Sequence, residues 1–123
     1  MPERRQEERL PFDTRLMLVI SDTGRMLTVR GLDVSGSGLG VITRSLVEPG
    51  TICSLRFRLP GASTGRAAII EPSAEVVRAQ PTDDGHYLLG ISFAYMPPEQ
   101  SAALREYIDA WLEETQGARL ARA

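Results

Sequence analysis

Two short motifs hold the side chains best able to do chemistry in this chain. Near the start, ERRQEER sets Arg5 and Arg9 four positions apart, with Arg4 beside them, and DVSGSG later sets Asp33, Ser35 and Gly38 in a D-x-S-x-x-G spacing. A guanidinium bonds phosphate bidentately or spans O6 and N7 of guanine. A carboxylate at 33 accepts from N–H groups, a hydroxyl at 35 donates or accepts, and Gly38 permits a tight turn with no Cβ to obstruct a bound molecule. Residues four apart lie on one side of an extended chain, about 13 Å from one another, or one turn apart on a helix, so both arginines can reach one anion.

Each motif also has a plainer reading. The arginines can be a solvated charged tail, and Asp33 and Ser35 can bond neighbouring backbone amides in a turn. An R-x-x-x-R pair arises by chance about once in a chain this rich in arginine, whereas D-x-S-x-x-G arises in about one such chain in twenty-five. The second motif is therefore the more informative. Glu7 and Glu8 stand between the arginines, where they repel an anion or pair internally, as Arg4 and Glu8 can at i,i+4 spacing.

Composition narrows the function classes. With 123 residues, 42% hydrophobic and 24% charged, the chain fits one folded domain. Its formal charge of −2 supplies no general field for nucleic acid or anionic lipid, so an anion site must be local. All 14 basic residues are arginine, which excludes Schiff-base chemistry, an amine general base and a Walker-type lysine. One tryptophan, three tyrosines and three phenylalanines form no stacking cluster, which weighs against a nucleic-acid-binding barrel. Lone Cys53 can form neither an intramolecular disulfide nor a thiolate zinc site, and on an apolar strand face it reads as a buried small hydrophobe. His86 beside Asp83 and Asp84 is hairpin chemistry with too few ligands for a metal. The charged start lacks a following apolar h-region and the apolar run LMLVI is too short to span a bilayer, so the sequence reads as a cytoplasmic protein.

The elements that must position the motifs follow from periodicity. Residues 14–20 and 25–34 read as strands joined by the turn SDTG, residues 39–44 as a third strand after SGSG, and residues 53–59 as the cleanest alternation. There Cys53, Leu55, Phe57 and Leu59 share one face, while Arg56 and Arg58 lie on the wet one. GASTG reads as a flexible loop, residues 66–78 as a strand broken at Pro72, and residues 86–93 as a strand after the turn PTDDG. About six antiparallel strands predict a small sandwich or barrel. The chain then enters a helix with Pro98 in its first turn, Glu99 at its positive end and a stripe of Leu104, Ile108, Trp111 and Leu112. Trp111 is expected in the core or as an interface anchor. The expected organisation is a flexible arginine segment over residues 1–12, a folded domain over 13–115 and a disordered tail over 116–123.

On these residues the chain resembles a PilZ domain, the bacterial receptor module for cyclic di-GMP. ERRQEER matches the family's arginine motif at Arg5 and Arg9, DVSGSGLGV its D/N-x-S-x-x-G motif at Asp33, Ser35 and Gly38, and LLGISF is similar to its V-G-V-x-F strand. The resemblance implies a mainly β fold: a six-stranded antiparallel barrel with a C-terminal helix, the dinucleotide on the barrel surface and the arginine segment closing over it. It also implies a noncatalytic receptor that signals to a downstream protein. The implied ligand site is Arg4, Arg5, Arg9, Asp33, Ser35 and Gly38, with Arg4 placed where a basic side chain favours an intercalated ligand dimer. No cofactor, metal, nucleic-acid polymer or membrane insertion is expected, and a second copy of the chain is an open partner. The competing reading is a PilZ-like protein-interaction module without nucleotide affinity.

Overall fold

The computed structural model describes residues 8–60 and 67–122, with the side chains of the terminal helix described as far as Thr115. The expected loop GASTG, and Arg4 and Arg5, lie outside the described residues. Among the described residues eight strands precede the helix: β1 (Leu10–Pro11), β2 (Arg15–Ile20), β3 (Met26–Val34), β4 (Gly38–Thr43), β5 (Ile52–Leu59), β6 (Ala68–Ile70), β7 (Ser73–Pro81) and β8 (Tyr87–Tyr95), followed by α1 (Pro98–Arg122). All pairings are antiparallel. Six strands close into a ring in the order β3, β2, β5, β7, β8, β4, with β4 returning to β3, so the expected six-stranded barrel is the one observed. The short strands β1 and β6 attach to β3 and β5.

β5 shows the alternation at its plainest, with Cys53, Leu55, Phe57 and Leu59 buried and their neighbours exposed. Pro72 lacks an N–H and interrupts what would otherwise be one ladder along β5. β6 pairs Ile70 with Phe57, β7 pairs Ser73 with Ser54, and the Pro72 carbonyl between them accepts from the Leu55 amide.

The barrel interior is filled by Leu18, Val34, Leu39, Leu55, Val76 and Leu89, each at most 2% exposed. At about 25 cal/mol per Å² of apolar surface, each such side chain contributes on the order of 1.5–3 kcal/mol. Helix α1 starts where Pro98 is tolerated, since its missing N–H is one the first turn leaves unpaired. Leu104 and Ile108 are buried, and Tyr107, Trp111 and Leu112 are half-buried against the core. Gln100 fastens the helix start to the strand break, its Oε1 accepting from the Glu71 amide at 2.6 Å.

Two boundaries differ from the sequence reading. Leu10 and Phe12, assigned above to the arginine segment, are core residues at 0% and 5% exposure. Phe12 packs edge-on against Phe57 and Tyr107, with ring centroids 5.6 and 6.1 Å apart, which ties the N-terminal strand to β5 and the helix together. At the other end the helical backbone runs to Arg122, past residue 115, through a segment of good helix formers such as Ala, Leu and Arg.

Candidate functional site

The end of β3 is where the two motifs meet. β2 pairs with the first half of β3 as a hairpin, Arg15 opposite Arg30 and Val19 opposite Met26. Upstream of β2 the same edge of β3 is taken up by β1, with Leu10 opposite Val34 and Pro11 opposite Asp33. The link between them is held by Phe12 N donating to Leu32 O and Gly31 N donating to Thr14 O. Gly31 is required there, because a Cβ on it would lie 2.8 Å from the Phe12 carbonyl oxygen. Arg9, one residue ahead of buried Leu10, is thereby delivered to Asp33.

A β-bulge aims the carboxylate. Val29 and Gly31 face inwards, and strict alternation would send residue 33 inwards as well. The pairing of β3 with β4 instead shifts between Gly31 and Asp33, leaving Leu32 as an extra residue; Val34 then takes the interior position and Asp33 turns out. Arg9 Nε donates to Asp33 Oδ1 at 2.9 Å, and Nη2 approaches the same oxygen at 2.8 Å. Both side chains stay accessible, at 48% and 37% exposure. Gly40 permits this pose, since a Cβ there would meet the two Asp33 oxygens at 2.9 and 3.1 Å. A second exposed pair flanks the first: Arg30 Nε and Nη2 donate to the two Asp13 oxygens at 2.9 and 3.1 Å, and hydrogen bonding to Arg30 holds the Asp13 carboxyl below its ordinary value.

Ser35 and Gly38 are placed differently from Arg9 and Asp33. Ser35 is fully buried, and its Oγ accepts from the amides of Ser37 and Gly38, both at 3.2 Å, while Ser35 N donates to Gly38 O at 2.9 Å. This is the turn chemistry named above as the plainer reading, and it holds for the serine but not for Asp33, whose carboxylate goes to Arg9. Gly38 is likewise a packing position: a Cβ would fall 2.1 Å from the Ile91 carbonyl oxygen on β8. The corner is closed by Phe93 N donating to Ser37 O at 2.9 Å. The exposed hydroxyl of this corner belongs to Ser37, 3.2 Å from Ser35 Oγ, a residue the motif spacing passed over. Beside Gly36, a pocket of about 270 Å³ separates Phe93, Tyr95 and Met96 from Leu104 and Arg105 of the helix.

Other candidates are accounted for locally. Cys53 is fully buried, and burial pushes its thiol up to about 11, far from a thiolate at neutral pH. His86 Nδ1 lies 3.3 Å from Asp84 Oδ1 in the β7–β8 turn, and no group of three His, Cys, Asp or Glu side chains among the described residues could hold a metal ion. Arg56 and Arg58 are exposed on β5, across the ring from β4. No helix is long and apolar enough to cross a membrane among the described residues.

A closed six-stranded antiparallel barrel with one C-terminal helix, carrying a D-x-S-x-x-G corner beside an N-terminal arginine segment, defines a small class of receptor and adaptor domains. The family model for the PilZ domain matches residues 3–110, and the chain belongs to that family, whose ligand is cyclic di-GMP. Solved structures share the fold. The Bacillus subtilis inhibitor of motility MotI/DgrA superposes with a TM-score of 0.73 at 16% identity, over 86% of this chain and 50% of that one. The PilZ domain of Escherichia coli YcgR with c-di-GMP gives 0.58 at 14% identity, over 91% and 95%. YcgR in complex with c-di-GMP gives 0.61 at 15% identity, over 94% and 49%. The chain thus spans about half the length of MotI/DgrA. No functionally curated protein matches it.

Proposed function

We propose that this chain is a cyclic di-GMP receptor that closes its N-terminal arginine segment over the ligand and passes the signal to a partner protein. The observation that carries this reading is the convergence of Arg9 and Asp33, which come from opposite ends of a hairpin and meet as an accessible ion pair. Guanine offers N1–H and N2–H to a carboxylate, and a guanidinium released from that carboxylate serves a phosphate. Both Arg9 contacts fall on Oδ1, which leaves Asp33 Oδ2 without a side-chain donor among the described residues. Ser35 acts by shaping the corner, while Arg4 and Arg5 complete the clamp. The solved YcgR PilZ domain with c-di-GMP supports the ligand class. The pocket beside Gly36 supports a route from the corner to helix α1, the element a partner would sense.

Isothermal titration with cyclic di-GMP tests the reading, with GMP and cyclic di-AMP as controls. Wild type is expected to bind cyclic di-GMP selectively, with Arg9→Ala and Asp33→Ala each weaker by at least about tenfold, a loss of about 1.4 kcal/mol. The titration also counts one or two ligands per chain. Absence of binding by wild type, or unchanged binding by both variants, would leave the interaction-module reading in its place.

A further inference from the structure

On the outer face of the barrel one row of register partners crosses four strands: Asp33 on β3, Gly40 on β4, Gly90 on β8 and Arg78 on β7. The two middle members have no side chain, and both end members lean over them. Asp33 covers Gly40 as described. A Cβ on Gly90 would meet Arg78 Cβ at 3.4 Å, Nε at 3.6 Å and Nη2 at 3.9 Å, so the arginine drapes across that glycine. Neither glycine has a positive φ, so the backbone conformation does not demand glycine at either position. What their bareness provides is a flat backbone floor with a carboxylate at one end and a guanidinium at the other.

Arg78 reaches this floor by the same device as Asp33. Ala74 and Val76 point inwards, and regular alternation would turn residue 78 inwards too. The pairing of β7 with β8 shifts between Val76 and Arg78, leaving Val77 as the extra residue; both Val77 and Arg78 lie outside. Two bulges on separate strands thus re-aim two opposite charges onto one row, an arrangement that bulges serve beside binding sites. No carboxylate among the described residues forms an ion pair with Arg78.

Guanine presents N1–H and N2–H donors next to O6 and N7 acceptors, a pattern matched by a carboxylate and a guanidinium set along one surface. We infer that Arg78 reads guanine at this site, donating to O6 and N7 of a base laid over Gly40 and Gly90 while Asp33 accepts from N1–H and N2–H. The inference rests on the cyclic di-GMP reading and adds to it a specificity residue outside both sequence motifs.

The test titrates the whole chain with cyclic di-GMP and with its 7-deazaguanine analogue, which lacks N7. Arg78→Ala is compared with wild type and with Arg58→Ala, whose arginine is also exposed but stands on β5, outside the row. Arg78→Ala is expected to weaken cyclic di-GMP binding by about 5- to 100-fold, the range of a bidentate guanidinium–guanine contact, with Arg58→Ala within about twofold of wild type. Wild type should discriminate against the deaza analogue and Arg78→Ala should not. If Arg78→Ala binds like wild type, or still discriminates, Arg78 is no guanine reader and the receptor reading stands without it. If wild type itself does not bind, the receptor reading falls and takes this inference with it.

Discussion

Two corners of this barrel use the same hydroxyl-to-amide bond and behave differently. The corner between β3 and β4 uses a serine hydroxyl to accept from amides two and three residues on, and the corner between β7 and β8 uses the Thr82 hydroxyl to accept from the His86 amide at 3.1 Å. Both contain glycines. The first corner is welded to its neighbours, with Ser35 buried, Gly38 tight against Ile91 and Ser37 O bonded to β8. The second stands in solvent, and Gly85 adopts φ +83° with nothing within 4 Å of where a Cβ would lie. Local turn chemistry is therefore no guide to a site. What distinguishes the corner beside Asp33 is its contact with a third strand, β8.

Glycine replacement breaks or sharpens this contrast most strongly. Gly38→Ala forces a methyl into a backbone carbonyl that cannot rotate away, so β4 and β8 must separate; the expected loss is about 3 kcal/mol or more, read by urea unfolding. Gly85→Ala meets only the cost of a left-handed conformation, about 1–2 kcal/mol. Equal losses would mean that the first corner is no more tightly held than the second.

Hydroxyl removal comes next. Ser35→Ala leaves the amides of Ser37 and Gly38 without their acceptor in a buried setting and is expected to cost about 1–3 kcal/mol. Thr82→Val removes a bond that water can replace and should cost less than about 1 kcal/mol in the same measurement. A Thr82→Val variant as destabilised as Ser35→Ala would erase the distinction between the two corners.

The strands were legible wherever one face is wet. Cys53 to Leu59 alternates without exception, and the helix announces itself through Pro98, Glu99 and the stripe from Leu104 to Leu112. The site was legible as a list of residue types but not as geometry. Strict alternation misplaces Asp33 and Arg78, because each follows a bulge whose extra residue, Leu32 or Val77, is defined only by the register of a partner strand. β1 is two residues long, too short for any period, and owes its existence to Leu10 and Phe12 reaching a core that the rest of the chain builds. Gly40 and Gly90 carry no pattern in sequence. Their meaning appears once the ladder sets them side by side.

The smallest expected effect concerns protonation at the exposed corner. Asp84 is held below its ordinary value first by the Thr82 hydroxyl, against an opposing effect of desolvation, and then by the neighbouring His86. Because the folded value lies below the unfolded one, this contribution to stability is present above about pH 3.8 and is lost as pH falls through the lower folded value. Thr82→Val should move the Asp84 midpoint up towards 3.8, followed by the carboxyl carbon shift in an NMR titration, and leave the Asp13 midpoint, lowered by Arg30, where it was. A stationary Asp84 midpoint would assign the shift to His86 instead. Asp84 would then depend on the histidine's charge, and its midpoint would respond to His86→Gln where it had ignored the loss of the hydroxyl.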